Sequence, residues 1–102
     1  MTINFNQNYF QLFELEPSFV IDFDVLEKKY FKLQKKFHPD KYVNATDYEK
    51  RLSLQITSYV NEAYETLIND YLKSMYLLKI VGYEIDDQNN TISDPIFLMN
   101  QI

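Results

Sequence analysis

The only histidine of this chain, His38, lies two residues before a carboxylate in the tripeptide His38-Pro39-Asp40. Catalysis by such a pair would also need a nucleophile, a set of metal ligands or a glycine-rich phosphate loop, and none accompanies it. The chain has no cysteine, which removes disulfides and thiolate metal sites, and one histidine makes a transition-metal site improbable. We therefore expect no enzymatic activity, no metal and no cofactor.

A run of lysines precedes the tripeptide and predicts a binding surface. Six of the ten basic residues fall between Lys28 and Lys41, although the whole chain has a net charge of −5. An acidic protein with one basic helix is not typical of nucleic-acid binding, which would also leave the tripeptide unexplained. The segregated charge indicates a positive patch for an acidic partner surface. The alternative is an ordinary solvated helix face.

The tripeptide is expected to follow an amphipathic helix. Leu26, Tyr30, Leu33 and Phe37 recur at the spacing of one core-facing stripe. The lysines fall on the opposite side or one flank of this helix: Lys28, Lys29, Lys32, Lys35 and Lys36. Asp22 is suited to cap its start, and Pro39 ends it, because the residue before a proline is driven out of the α region. His38, Pro39 and Asp40 are therefore predicted to lie in a loop.

A longer helix is predicted after this loop, beginning with a capping box from Thr46 to Glu49. Its expected core stripe comprises Tyr48, Leu52, Ile56, Tyr59, Ala63 and Leu67. Such a stripe packs well along an antiparallel neighbour, which the basic helix supplies. We predict a helical hairpin with the tripeptide near its tip.

Two further helices complete an all-α fold, since one glycine and three prolines in the whole chain do not suit a many-turned β protein. A short helix, capped by Asn8, is predicted from Tyr9 to about Leu15. A fourth is predicted from Tyr71 to about Val81, ending at Gly82.

The last residues are expected to begin a second domain. Residues 83–93 are predicted to be a polar linker, after a first domain of residues 8–82. Asp94 and Pro95 form a strong helix start, but few residues follow them. We expect residues 94–102 to be the beginning of a truncated helical domain.

The segment from Tyr30 to Lys41 resembles the signature of the J-domain, the DnaJ-type co-chaperone module, and residues 61–67 match that family's third helix. Residues 8–15, 76–83 and 94–101 are similar to the narrower HscB family of iron–sulphur cluster assembly. Two substitutions depart from that family: Asp70 replaces its usual proline and Lys73 its usual arginine. The sequence ends at Ile102, before the segment that would match the C-terminal helical domain of HscB, so we expect that domain to be missing from this chain.

This resemblance implies a co-chaperone that docks on a DnaK-type chaperone and speeds its ATP hydrolysis. The partner would be HscA-like, the cargo an IscU-like scaffold protein, and the location the bacterial cytoplasm. The matching docking residues would be His38, Pro39 and Asp40 with the five helix lysines. Asp40 could accept a charge-assisted hydrogen bond from a partner arginine, while the lysines steer the encounter. A J-domain for unrelated cargo is the alternative.

The resemblance also implies a scaffold-binding surface near the end of the chain. Its matching residues are Leu98, Met99 and Ile102, which share one face of the predicted last helix. Core packing against a further domain is an equally suitable role for them. Because the helix is short here, we expect this chain to bind a scaffold weakly or not at all.

Overall fold

The computed structural model describes residues 3–89 of the 102-residue chain, with side chains as far as Gly82. This part contains four α-helices, one 3-10 turn and no β-strand. The helices are α1 (Tyr9–Leu12), α2 (Phe23–Phe37), α3 (Asp47–Ile68) and α4 (Asp70–Asn89), and the 3-10 turn is Pro39–Tyr42. The predicted all-α class is confirmed.

The hairpin of α2 and α3 forms the centre of the fold. Leu26 and Phe37 of α2 are buried against the core side of α3, and Tyr30 and Leu33 are partly buried beside them. On α3 the buried side chains are Ser53, Ile56, Val60, Ala63 and Leu67. The predicted stripe of α2 is therefore confirmed, and that of α3 is confirmed from Leu52 onward, with Leu52 and Tyr59 partly buried.

Tyr48 is a correction to the predicted core, because its side chain is 67% exposed. Phe37, the last residue of α2, lies level with Ser53 and Thr57 of α3, whose hydroxyls reach its carbonyl. The first turn of α3 therefore extends past the end of its neighbour, and Tyr48 has no helix to pack against there. Ser53 and Val60 are buried although the predicted stripe did not include them.

Side chains cap three of the helix starts as the sequence predicts. Asn8 and Gln11 form a capping box, and Asp22 accepts from the N–H groups of Asp24 and Val25 at 3.0 and 3.3 Å. Thr46 accepts from the Glu49 N–H at 3.2 Å. The Glu49 carboxylate, however, accepts from the Thr46 hydroxyl at 3.0 Å and not from its backbone.

The predicted end of the fourth helix at Gly82 is wrong, because α4 continues through this glycine to Asn89. A glycine inside a helix costs about 0.5–1 kcal/mol, and a glycine that ends a helix usually has a left-handed backbone. Gly82 has no positive φ. Residues 83–89 are thus helical where a polar linker was expected, and the division into domains stays a prediction.

Aromatic contacts hold α1 and α4 on α3. The Tyr9 N–H donates to the Tyr76 hydroxyl at 2.9 Å, and the two rings stack with centroids 4.4 Å apart. The Tyr59 hydroxyl donates to the Gln7 carbonyl at 2.8 Å. Burial, with the nearby Glu62 carboxylate, raises the pKa of Tyr9 to about 12, so this phenol is protonated at neutral pH.

None of the helices described between residues 3 and 89 is long and apolar enough to span a membrane.

The first helix ends at Leu12 and not near Leu15, because Glu14 adopts a left-handed backbone with φ of 57°. The Leu15 N–H donates to the Phe10 carbonyl at 2.8 Å, the long-range bond of a Schellman motif. Glycine is the usual residue at such a position, because a side chain is strained there.

We predict that Glu14→Gly raises the free energy of unfolding by about 0.5–1 kcal/mol, the strain relieved less the added entropy of the unfolded chain. Urea denaturation followed by circular dichroism measures it. Glu16→Gly removes the same charge from a residue without positive φ and is the matched control. A Glu14→Gly protein no more stable than this control would contradict the prediction.

Candidate functional site

The tripeptide lies at the tip of the α2–α3 hairpin, as predicted, but it is more ordered than a loop. His38 ends α2, and Pro39 opens the 3-10 turn that runs to Tyr42. The Lys41 N–H closes this turn by donating to the His38 carbonyl at 3.0 Å. Proline suits the first position of such a turn because its fixed φ is already helical and its missing N–H would have no partner there.

The Asp40 side chain is 91% exposed and that of His38 is half exposed. The Asp40 N–H donates to His38 Nδ1 at 3.2 Å. His38 Nδ1 lies 3.6 Å from the Asp40 carboxylate, which faces solvent.

The five predicted lysines lie along α2 on the side away from the core. Lys28, Lys32, Lys35 and Lys36 are exposed. Lys29 is half-buried, and its Nζ donates to the Glu14 carbonyl at 3.2 Å. Among the side chains described, those of residues 3–82, no carboxylate lies within salt-bridge distance of any of these lysines. The positive charges of Lys28, Lys32, Lys35 and Lys36 are therefore presented to solvent.

A polar cluster that the sequence analysis did not single out sets the rotation of α2 on α3. The Tyr30 hydroxyl donates to Asn61 Oδ1 at 2.7 Å, and the Gln34 amide donates to the Tyr30 hydroxyl at 3.1 Å and also to Asn61. The Tyr64 ring stacks on the Tyr30 ring, with centroids 3.9 Å apart. Asn61 and Tyr64 lie in the segment that resembles the third J-domain helix, and this resemblance was the sequence feature that could have indicated the cluster. Through this cluster the lysines are held outward.

Three hydroxyls that no sequence pattern indicated bind the end of α2. Ser53 and Thr57 donate to the Phe37 carbonyl at 2.9 and 3.2 Å, and Tyr42 donates to the Lys36 carbonyl at 3.3 Å. The turn is therefore tied to α3 and to the last turn of α2.

The other predicted site residues cannot be placed. Leu98, Met99 and Ile102 lie outside the described residues, as do Asp94 and Pro95. Within the described part, no three histidine, aspartate or glutamate side chains are grouped so that they could hold a metal ion.

Comparison with known proteins finds relatives of this chain. No protein-family model matches the chain. The chain is 41% identical over 95 residues to a protein of Shewanella loihica named as a co-chaperone protein HscB homolog, and 42% identical to its namesake from Shewanella halifaxensis. Each match covers 93% of this chain and 55% of the relative. Over these residues the chain is similar to the HscB co-chaperones.

Solved structures agree with this assignment. The chaperone HscB from Vibrio cholerae matches with a TM-score of 0.71 and 35% identity, over 93% of this chain and 54% of that one. The human co-chaperone HscB matches with a TM-score of 0.76 and 33% identity, over 96% of this chain and 50% of that one. The resemblance predicted from the sequence is confirmed over the matched residues, and the chain spans about half the length of these relatives.

Proposed function

We propose that this chain is a co-chaperone of iron–sulphur cluster assembly that docks on an HscA-like chaperone of the DnaK type and stimulates its ATP hydrolysis. The observation that carries the proposal is an exposed Asp40 carboxylate, held in a turn at the end of an exposed lysine face, in a chain similar to the HscB co-chaperones. The docking residues would be His38, Pro39 and Asp40 with the lysines of α2.

The geometry supports different roles for the turn and for the lysine face, which consists of the exposed lysines Lys28, Lys32, Lys35 and Lys36. An ionised carboxylate can accept two parallel hydrogen bonds from an arginine of the partner, which adds directional specificity. Exposed lysines act at longer range, so they raise the rate of encounter with an acidic surface. Neither role requires the chain to make or break a covalent bond. It would bind one conformation of the chaperone in preference to another and so shift that equilibrium.

We predict that Asp40→Asn leaves the fold intact and removes stimulation of the chaperone ATPase. The side chain is almost fully exposed and belongs to no apolar stripe, so its loss costs little stability. The amide cannot accept two charge-assisted bonds from an arginine. Circular dichroism and steady-state ATP hydrolysis measure the two effects. Asp24→Asn, an exposed acid at the other end of α2, is the control. Full stimulation by a folded Asp40→Asn protein would refute the mechanism.

The charge reversal of Lys32 and Lys35 to glutamate should slow association with the chaperone, with little effect on dissociation. Both side chains are exposed on the side of α2 away from the core. Stopped-flow binding at low and high salt is the measurement, and the wild-type advantage should shrink as salt rises. Reversing Lys50 and Lys79, which are exposed on α3 and α4, gives the same change in net charge. Equal association rates for the two double variants would show that the α2 face has no special role.

The proposed scaffold contacts Leu98, Met99 and Ile102 would provide too little area for tight binding. Each side chain contributes about 1.5–3 kcal/mol if fully buried, whereas association itself costs roughly 4–15 kcal/mol. We predict that the 102-residue chain stimulates the chaperone while binding an IscU-like scaffold weakly or not at all.

A calorimetric titration with the scaffold, beside the ATPase assay, separates these two activities. Submicromolar scaffold binding by this chain would contradict the prediction. The alternative function, a J-domain for unrelated cargo, predicts no effect of the scaffold in either assay. Detectable scaffold binding that Leu98→Ala and Met99→Ala abolish would favour the iron–sulphur role.

A further inference from the structure

The end of α2 leaves a carbonyl group without its usual donor. In a continuing helix the Phe37 carbonyl would accept from the N–H four residues on, that of Lys41. The Lys41 N–H is instead bonded to the His38 carbonyl at 3.0 Å, which closes the 3-10 turn. Pro39, two residues after Phe37, has no N–H to offer. Phe37 is buried, so leaving its carbonyl without a hydrogen bond would lower the stability of the fold. A donor from another element is therefore expected.

Two hydroxyls of α3 supply that donor. Ser53 and Thr57 are one turn apart on the same face of α3, and they reach the Phe37 carbonyl at 2.9 and 3.2 Å. Ser53 is fully buried, in a position where an apolar residue would otherwise complete the core. A serine side chain contributes less apolar packing there than a leucine would. We infer that the role of Ser53 is its hydrogen bond to the Phe37 carbonyl.

Other hydroxyls in the same chain behave differently. Thr66 and Ser74 each donate to the carbonyl four residues back in their own helix, both at 2.8 Å. This is the ordinary local bond of serine and threonine in helices, and it links nothing to a second element. Ser53 and Thr57 instead reach across to a residue 16 and 20 positions away along the chain. Each pair consists of one serine and one threonine, but only Ser53 and Thr57 bond to another helix. Thr66 and Ser74 are therefore the matched control.

The bonded carbonyl belongs to the residue immediately before the tripeptide. The His38 carbonyl and ring nitrogen organise the turn by accepting from Lys41 and Asp40, and all of these groups follow Phe37 without an intervening flexible residue. The Tyr42 hydroxyl ties the far end of the turn back to the Lys36 carbonyl at 3.3 Å. The direction of the exposed Asp40 carboxylate relative to α3 therefore depends on where the Phe37 carbonyl is held.

We propose that Ser53 and Thr57 are positioning residues: their hydroxyl pair grips the Phe37 carbonyl and so orients the His38-Pro39-Asp40 turn for engagement with the chaperone. Neither side chain would touch the partner. The inference rests on the proposed function for its activity readout, although the orientation of the turn can be measured without any partner.

The decisive comparison is Thr57→Val against Thr57→Ser. Valine keeps the shape of threonine and loses the hydroxyl, whereas serine keeps the hydroxyl and loses a methyl group. A packing role for Thr57 predicts that serine is the harmful change, and the positioning role predicts that valine is. We expect Thr57→Val to lower maximal ATPase stimulation at saturating co-chaperone, with Thr57→Ser close to the wild type.

The double variant Ser53→Ala, Thr57→Val should lower maximal stimulation by about fivefold or more, the ratio that corresponds to one lost buried hydrogen bond. Thr66→Val with Ser74→Ala removes the same atoms from the local pair and should stimulate normally. Residual dipolar couplings of the N–H groups of residues 38–41, referred to those of α3, report the orientation of the turn in the free protein. They should change in the Ser53/Thr57 variant and not in the control.

The ATPase and dipolar-coupling measurements each support or overturn the positioning role of Ser53 and Thr57. Stimulation by the Thr57→Val and double variants equal to that of the control overturns the inference, as does a turn whose dipolar couplings are unchanged. If the wild type fails to stimulate a purified DnaK-type chaperone, the proposed function is overturned, and the dipolar couplings alone then decide whether the hydroxyls orient the turn. Should the double variant not fold, the two Thr57 single variants provide the same comparison at a site that is only partly buried.

Discussion

The last turn of α2 keeps carbonyl groups that its own helix does not satisfy, because Pro39 ends the helix and the N–H groups of Asp40 and Lys41 donate to His38 instead. This constraint is met by donors from other elements. The Lys36 and Phe37 carbonyls accept hydroxyls from Tyr42, Ser53 and Thr57. A helix ended by a Schellman motif would have satisfied its carbonyls locally and left the following turn free to move. Here the helix end is satisfied through tertiary contacts, which attaches the turn to α3.

The same two helices are also linked along their length, by a cluster that combines stacking with hydrogen bonds. Tyr30, Gln34 and Asn61 share hydrogen bonds, and Tyr64 stacks on Tyr30. Apolar packing alone tolerates small rotations and shifts of one helix on another, whereas directional hydrogen bonds do not. The lysines of α2 therefore keep a defined orientation relative to the Asp40 carboxylate at the end of the helix. The turn and the lysines of α2 are therefore both positioned by contacts with α3.

The charge of the chain is distributed to suit this surface. A net charge of −5 would repel an acidic partner, but six of the ten basic residues are concentrated between Lys28 and Lys41. Screening limits exposed charges to a range of about 10 Å at moderate salt, so the nearby lysines, and not the net charge, govern the approach of a partner to α2. The lysines of α2 thus form a local positive surface beside the exposed Asp40 carboxylate, despite the negative net charge.

The sequence by itself determined the helices, their caps at Asn8, Asp22 and Thr46, and the position of the tripeptide at the end of a basic helix. These follow from local signals: hydrophobic period, side-chain oxygens near free N–H groups, and the restriction that proline imposes on its neighbour. Two predictions made from local signals were wrong. Gly82 lacks the left-handed backbone that would end α4, and Tyr48 continues an apolar stripe past the end of the neighbouring helix. The exposure of Tyr48 depends on where the neighbouring helix ends, which periodicity does not report.

Only the tertiary structure decided how the tripeptide is held. Ser53 and Thr57 are ordinary polar residues in the sequence of a helix, and nothing in their spacing distinguishes them from Thr66 and Ser74. Ser53 and Thr57 lie opposite the Phe37 carbonyl of α2, which lacks its usual donor. Thr66 and Ser74 instead bond to carbonyls of their own helices. A hydrogen bond between residues far apart in the chain requires the two helices to be in place first, so its partners can be identified only in the folded molecule.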